Sequence, residues 1–181
     1  MKNGNKKKFQ SSGGIGLISS RITLEGPIKK DTASFIISGR RTYFDIFAKP
    51  FVDTTSFAGS SYYFYDLTTK ANYQISAKDK IFLSGYFGRD VFDISNLFNN
   101  AYGNSVANFR WNHLFSNQLF SYLSLIYSDY DYRLDFSFAD FEWNSSIVNM
   151  NLKYAFKHYL SEKIKLEYSK LLIIGKYIFS S

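Results

Sequence analysis

The sequence predicts an all-β fold of long antiparallel strands that run up and down. Residues 63–75 show the pattern most clearly, because mainly apolar and aromatic side chains alternate there with polar ones at a period of two. Aromatic residues make up 20% of the chain, a composition that favours β structure. Short polar turns and longer loops alternate between the segments. We therefore predict a fragment of an antiparallel, up-and-down transmembrane β-barrel with about eight long strands, short periplasmic turns and longer extracellular loops.

The strand segments follow one another with regular spacing. They are predicted at residues 15–25, 33–43, 63–75, 81–91, 104–114, 119–132, 146–159 and from 164 onwards. Short turns centre near residues 28, 78, 117 and 162, where polar residues, glycine or proline cluster. Longer loops are expected at residues 44–61, 92–103 and 133–143. About ten residues per strand, rising about 3.3 Å each and tilted by about 45°, cover roughly 23 Å, close to the roughly 25 Å apolar band of an outer-membrane barrel.

The alternation divides candidate site residues into two groups. Candidates for the lipid-facing side or its aromatic girdles are Tyr63, Tyr65, Leu67, Tyr73, Phe109, Trp111, Leu152 and Tyr154. Candidates for the side facing the lumen or a plug are Arg21, Glu25, Arg40, Asp66, Lys70 and Arg110. Within the second group, Arg21, Glu25 and Arg40 are candidates for ion pairs with a plug domain.

Composition limits the other possibilities. The formal charge is +7, of which Lys2, Lys6, Lys7 and Lys8 contribute four positive charges near the start. We interpret residues 1–12 as a basic disordered tail, residues 13–169 as barrel strands, and residues 170–181 as a degenerate or frame-shifted tail in which alternation is lost. No stretch approaches the roughly 18 apolar residues of a spanning helix, and no signal peptide is recognisable. Because an outer-membrane protein requires an export signal, the chain is expected to be a fragment, or the product of a gene model with the wrong start.

The sequence offers little material for catalysis or metal binding. There is no cysteine, and the two histidines, His113 and His158, lack metal-ligand spacing. The acidic run from Asp129 to Asp135 resembles a calcium loop, but Leu134 occupies the position that requires glycine. We predict no catalytic residues, no metal, no cofactor and no nucleic-acid partner.

Six segments carry a family resemblance. They are residues 13–27, 35–43, 63–67, 81–90, 110–115 and 124–130. In this order, over about residues 13 to 160, they resemble the first part of the barrel of TonB-dependent receptors of the Bacteroidetes type. The resemblance implies the bacterial outer membrane, outer-membrane lipid as surroundings, and a 22-stranded barrel closed by an amino-terminal plug. It also implies import of siderophores, cobalamin or glycans with energy from the TonB system.

This chain departs from the family pattern, because it has about eight strands and no plug. The plug and the TonB system are therefore expected as partners only of an intact parent protein, and the chain is not expected to transport alone. Two other interpretations stay open at this point. One is a complete eight-stranded outer-membrane barrel with a structural or adhesive role. The other is a soluble β-rich binding module.

Overall fold

The computed structural model describes residues 2–43, 46, 59–94, 97–137, 141–161 and 164–180. It contains one sheet of nine antiparallel strands, each paired with its neighbours in sequence order. The strands are β1 Gln10–Ile15, β2 Ser19–Lys29, β3 Ala33–Thr42, β4 Ser61–Gln74, β5 Asp79–Ile94, β6 Phe98–Leu114, β7 Leu119–Phe136, β8 Phe141–Tyr159 and β9 Lys165–Ser180. The prediction of an all-β, antiparallel, up-and-down fold is confirmed.

The number of strands is nine, where the sequence predicted about eight. The additional strand is β1, and the stretch predicted as the first strand is divided between β1 and β2. Residues 10–14 lack apolar alternation, so no periodic signal marks them as a strand. They are ordered by pairing with β2 across a tight turn, in which the Gly16 amide donates to the Ser19 carbonyl at 2.9 Å.

Two of the three expected long loops are mostly strand. β5 continues to Ile94 and β6 begins at Phe98, while β7 continues to Phe136 and β8 begins at Phe141. Polar residues such as Asn99 and Asn100 have low strand propensity, but β5 and β7 hold them from both sides. Aromatic contacts between neighbouring strands stabilise the long-loop ends of the strands. The ring centroids of Phe92 in β5 and Phe98 in β6, for example, are 5.4 Å apart. Most of the third loop, residues 44–61, lies outside the described residues, as do Glu162 and Lys163 of the last predicted turn.

Register assigns every strand residue to one of two faces. We call the face that carries Tyr63, Tyr65, Leu67 and Tyr73 of β4 the apolar face, and the opposite face, with Asp66 and Lys70, the polar face. Because directly paired residues of antiparallel strands share a face, the pairing carries these names across the sheet.

The sheet is a single layer without a dry interior. Among the described residues, the buried apolar side chains are Ala33, Ile36, Ala101 and Ala155. The accessible surface is 12168 Å², whereas a folded monomer of this mass exposes about 9,000 Å². Pairing of backbone groups in adjacent strands therefore holds the sheet together, and both faces remain available to other surroundings.

The open arrangement predicts a pattern of hydrogen exchange. Each inner strand is paired on both sides, whereas β1 and β9 are paired on one side. In the full chain folded in detergent, we expect about half of the β9 amides to exchange quickly and the β6 and β7 amides to exchange slowly. Hydrogen exchange followed by mass spectrometry measures this difference. Equal protection of β9 and β6 would show that the edge is covered, and would contradict the open sheet.

Candidate functional site

The candidate lipid-facing residues all lie on the apolar face. Tyr73, Trp111 and Tyr154 fall in one row of cross-strand pairs, together with Ile81 and Leu123. The next row consists of Ala71, Leu83, Phe109, Leu125 and Leu152. The other three candidates continue along β4, where the rings of Tyr63 and Tyr65 stack at 6.5 Å. The face thus presents a continuous apolar surface across at least five strands.

Charged side chains mark one end of this surface. Toward the long-loop end, Arg89 Nη1 lies 3.5 Å from Asp131 Oδ2. The two side chains meet across Gly103, where a Cβ would approach Asp131 Oδ1 to 2.5 Å. Further out, Arg133 Nη2 lies 3.0 Å from Glu142 Oε1. Charged side chains are costly on an apolar, lipid-facing surface, so the apolar surface ends before the ends of the strands.

The opposite end of the apolar surface is marked by a cluster around Asp79. Its Oδ1 accepts a hydrogen bond from Trp111 Nε1 at 3.0 Å and lies 2.7 Å from His113 Nδ1. Its Oδ2 accepts from the Ser76 hydroxyl at 2.8 Å. The hydrogen bonds with His113 and Ser76 hold the pKa of the Asp79 carboxyl below its ordinary value. No local sequence pattern reveals this cluster, because Trp111 and His113 lie 32 and 34 residues from Asp79 along the chain.

The six candidate lumen-facing residues all lie on the polar face, but they do not form one site. Arg21, Arg40 and Asp66 are consecutive partners across β2, β3 and β4. Arg40 donates to Asp66 Oδ2 from both Nε and Nη2, each at 2.7 Å. Lys70 and Arg110 lie closer to the short turns.

Glu25 interacts with the amino-terminal segment, residues 2–8, which crosses the polar face. Lys2 Nζ lies 2.7 Å from Glu25 Oε1, and the Asp31 amide donates to the Lys6 carbonyl at 3.0 Å. Asn5 turns the chain back toward β1, since its Oδ1 accepts from the Lys7 amide at 2.8 Å. The sequence indicated only a charged tail here, because the partners of residues 2–8 lie in β2 and the turn after it.

Buried oxygens on the polar face lack donors. Among the described residues, no hydrogen-bond donor reaches five buried side-chain oxygens, all on this face: Glu25 Oε2 and the Oδ1 atoms of Asn72, Asn100, Asn108 and Asn151. A buried acceptor left without a donor costs about 1–3 kcal/mol. Their location is consistent with a face that water wets.

Aromatic rings line the long-loop end of the polar face. Phe98 stacks on Phe136 at 6.0 Å, and Phe136 contacts Phe141 at 6.1 Å. Trp143 follows at 6.5 Å from Phe141 and reaches Phe179 of β9 at 6.4 Å. The row therefore spans β6 to β9.

The described part of the chain contains no group of three or more acidic or histidine side chains that could hold a metal ion. Within the same residues, no helix is long and apolar enough to cross a bilayer. Comparison with protein families, with curated proteins and with solved structures finds no match to this chain.

The Asp79 cluster predicts a pH dependence. Because the folded-state pKa of Asp79 is lowered, its contribution to stability is complete above the ordinary carboxyl pKa of about 3.9 and is lost as the pH falls through the lowered value. We expect Asp79→Asn to unfold at a lower denaturant concentration than the unchanged chain at pH 7. The difference between the two denaturation midpoints should become smaller at pH 3. Denaturation followed by tryptophan fluorescence measures both midpoints.

Asp129→Asn serves as the control, because it removes the same charge from β7, at a position outside the Asp79 cluster. The stabilising role of the ionised Asp79 carboxylate would be refuted if the midpoints of Asp79→Asn and the unchanged chain differed equally at pH 7 and pH 3.

Proposed function

We propose that this chain forms part of the barrel wall of an outer-membrane TonB-dependent receptor, which takes up siderophores, cobalamin or glycans. The observation that carries the proposal is a single-layer sheet of long strands whose two faces differ in chemistry. In a barrel wall of this kind, the apolar face would contact lipid and the polar face would contact the lumen.

Strand length supports a spanning role. β4 has 14 residues and β8 has 19. At about 3.3 Å per residue and a tilt of about 45°, these lengths cover roughly 33 and 44 Å, more than the roughly 25 Å apolar band. The excess corresponds to the charged long-loop end, where Arg89, Asp131 and Arg133 would lie outside the hydrocarbon.

The exposed apolar face weighs against a soluble binding module. Leu83 is 58% exposed and Leu152 is 41% exposed, although each lies in a strand that is paired on both sides. A contiguous patch of such residues is costly in water unless a membrane or another protein covers it.

The two sheet edges favour a larger barrel over a complete small one. Free edges invite misassembly, and a transmembrane barrel has none because its sheet closes on itself. The nine strands would need further strands between β9 and β1, in agreement with the 22 strands implied by the family resemblance. Transport by this chain alone is therefore not part of the proposal.

The polar face suggests where a plug would bind. Arg40 is paired with Asp66 and Glu25 with Lys2, so these side chains already have partners. Among the described residues, Arg21 has no ion-pair partner and lies beside Arg40. Of the three predicted plug contacts, Arg21 is the one that we retain.

The proposal predicts that the isolated chain does not close. After refolding of the full chain in detergent, boiled and unboiled samples are expected to migrate alike in a denaturing gel, because an open sheet does not resist the denaturing detergent. A closed eight-stranded barrel refolded in parallel is the control, since its unboiled form migrates differently. A heat-dependent shift of this chain would favour a complete small barrel.

The genomic DNA on both sides provides a second, independent test. We expect a plug-encoding region upstream and further strand-encoding segments downstream, in the same or another reading frame. Flanks that encode neither would contradict the receptor assignment.

A further inference from the structure

A cluster of cations surrounds two aromatic rings on the polar face, near the short turns. We call this cluster the basic patch; it consists of Lys70, Lys80, Arg110, Lys153 and Lys157, with the rings of Phe82 and Tyr122. The ammonium groups of Lys70 and Lys80 lie 5.4 and 5.0 Å from the centre of the Phe82 ring. These distances are typical of cation–π contacts, which hold the positive charges in place.

The other three cations contact the ring of Tyr122. The Arg110 guanidinium carbon lies 4.4 Å from the ring centre, and the ammonium groups of Lys153 and Lys157 lie 5.8 and 5.9 Å from it. Sheet register fixes this arrangement, because Phe82 pairs with Arg110 and Tyr122 is two residues from Ser124, which pairs with both Arg110 and Lys153.

Glu167 lies at the β9 side of the basic patch. Its Oε2 is 3.7 Å from the Lys157 ammonium and 3.7 Å from that of Lys165. Lys6 of the amino-terminal segment adds another positive charge close enough to act on Lys80. Several like charges held together in this way attract an anion that can contact more than one of them.

A cavity opens within the basic patch. Its volume is about 380 Å³, and it is lined by Asn3, Lys70, Phe82, Ser84, Asn108, Arg110 and Asn112. Arg110 Nε donates to Asn112 Oδ1 at 3.0 Å, which orients the guanidinium at the wall. Cationic, amide and hydroxyl groups are the donors that bind phosphate and carboxylate oxygens.

We propose that this cavity binds a small solute that carries two or more oxyanion groups, of which inorganic pyrophosphate is the simplest probe. Several spaced cations favour a multivalent anion over a monovalent one. Asn3 forms one wall, so a polypeptide segment already lies along the site, and the remaining space suits a small molecule. The inference does not depend on the receptor assignment, because it requires only the folded sheet.

Pyrophosphate titrated into the full chain folded in a non-ionic detergent tests the proposal. Calorimetry at low ionic strength is expected to detect binding that weakens as salt is added. Arg110→Gln should reduce the affinity about tenfold or more, since a charged donor is lost. Arg133→Gln is the matched control, because it removes one positive charge from the far end of β7 and should leave the affinity within about twofold.

Lysine labelling provides a readout that needs no variant. Pyrophosphate should protect Lys70, Lys80 and Lys153 from acetylation in the unchanged chain, and should leave Lys29 and Lys30 as reactive as before. The proposal would be overturned if calorimetry detected no heat of pyrophosphate binding and pyrophosphate did not protect these lysines from acetylation. Protection by poly-glutamate without protection by pyrophosphate would also overturn it, and would assign the patch to an acidic polypeptide. Pyrophosphate binding by a chain whose genomic flanks encode neither a plug nor further strands would support this site while contradicting the proposed receptor.

Discussion

The backbone pairing of β2 to β9 is the constraint on which the structure depends, because register decides which side chains share a face. A shift of one residue between two strands would move Trp111 or Leu152 from the apolar face to the polar one. The observed register instead places Tyr73, Ile81, Trp111, Leu123 and Tyr154 side by side. With so few buried apolar side chains, the sheet has no internal core to favour this register. In the proposed barrel wall, the different surroundings of the two faces, hydrocarbon and water, would supply that preference.

The polar face is organised by local pairing of charges and rings. Near β2 and β3, Arg40 and Glu25 are neutralised by Asp66 and Lys2. In the basic patch, the rings of Phe82 and Tyr122 lie beside the cations. The long-loop end carries an aromatic row instead of charges. A lumen wall with these three zones would offer a plug, an oxyanion and an apolar or ring-bearing ligand different places to bind.

Much of the fold could be predicted from the sequence, since alternation in segments such as residues 63–75 and 146–159 identifies both strand and face. Register places the two groups of candidate residues on opposite faces of the sheet. What alternation could not predict depends on pairing partners. β1 has no periodic pattern and is ordered by β2, and Asn99 and Asn100 are strand residues because β5 and β7 flank them. The Asp79–His113 contact and the Lys2–Glu25 ion pair join residues more than 20 positions apart, which no local pattern reveals.

The two tryptophans allow the central claim to be measured directly, because Trp111 lies on the apolar face and Trp143 lies at the long-loop end of the polar face. Trp143→Phe leaves Trp111 as the only tryptophan, and Trp111→Phe leaves Trp143. In the full chain folded in detergent, a brominated detergent should quench the emission of Trp111 strongly, and aqueous iodide should quench that of Trp143. Equal quenching of both tryptophans by iodide, with no effect of the brominated detergent on Trp111, would contradict the assignment of hydrocarbon to one face and water to the other.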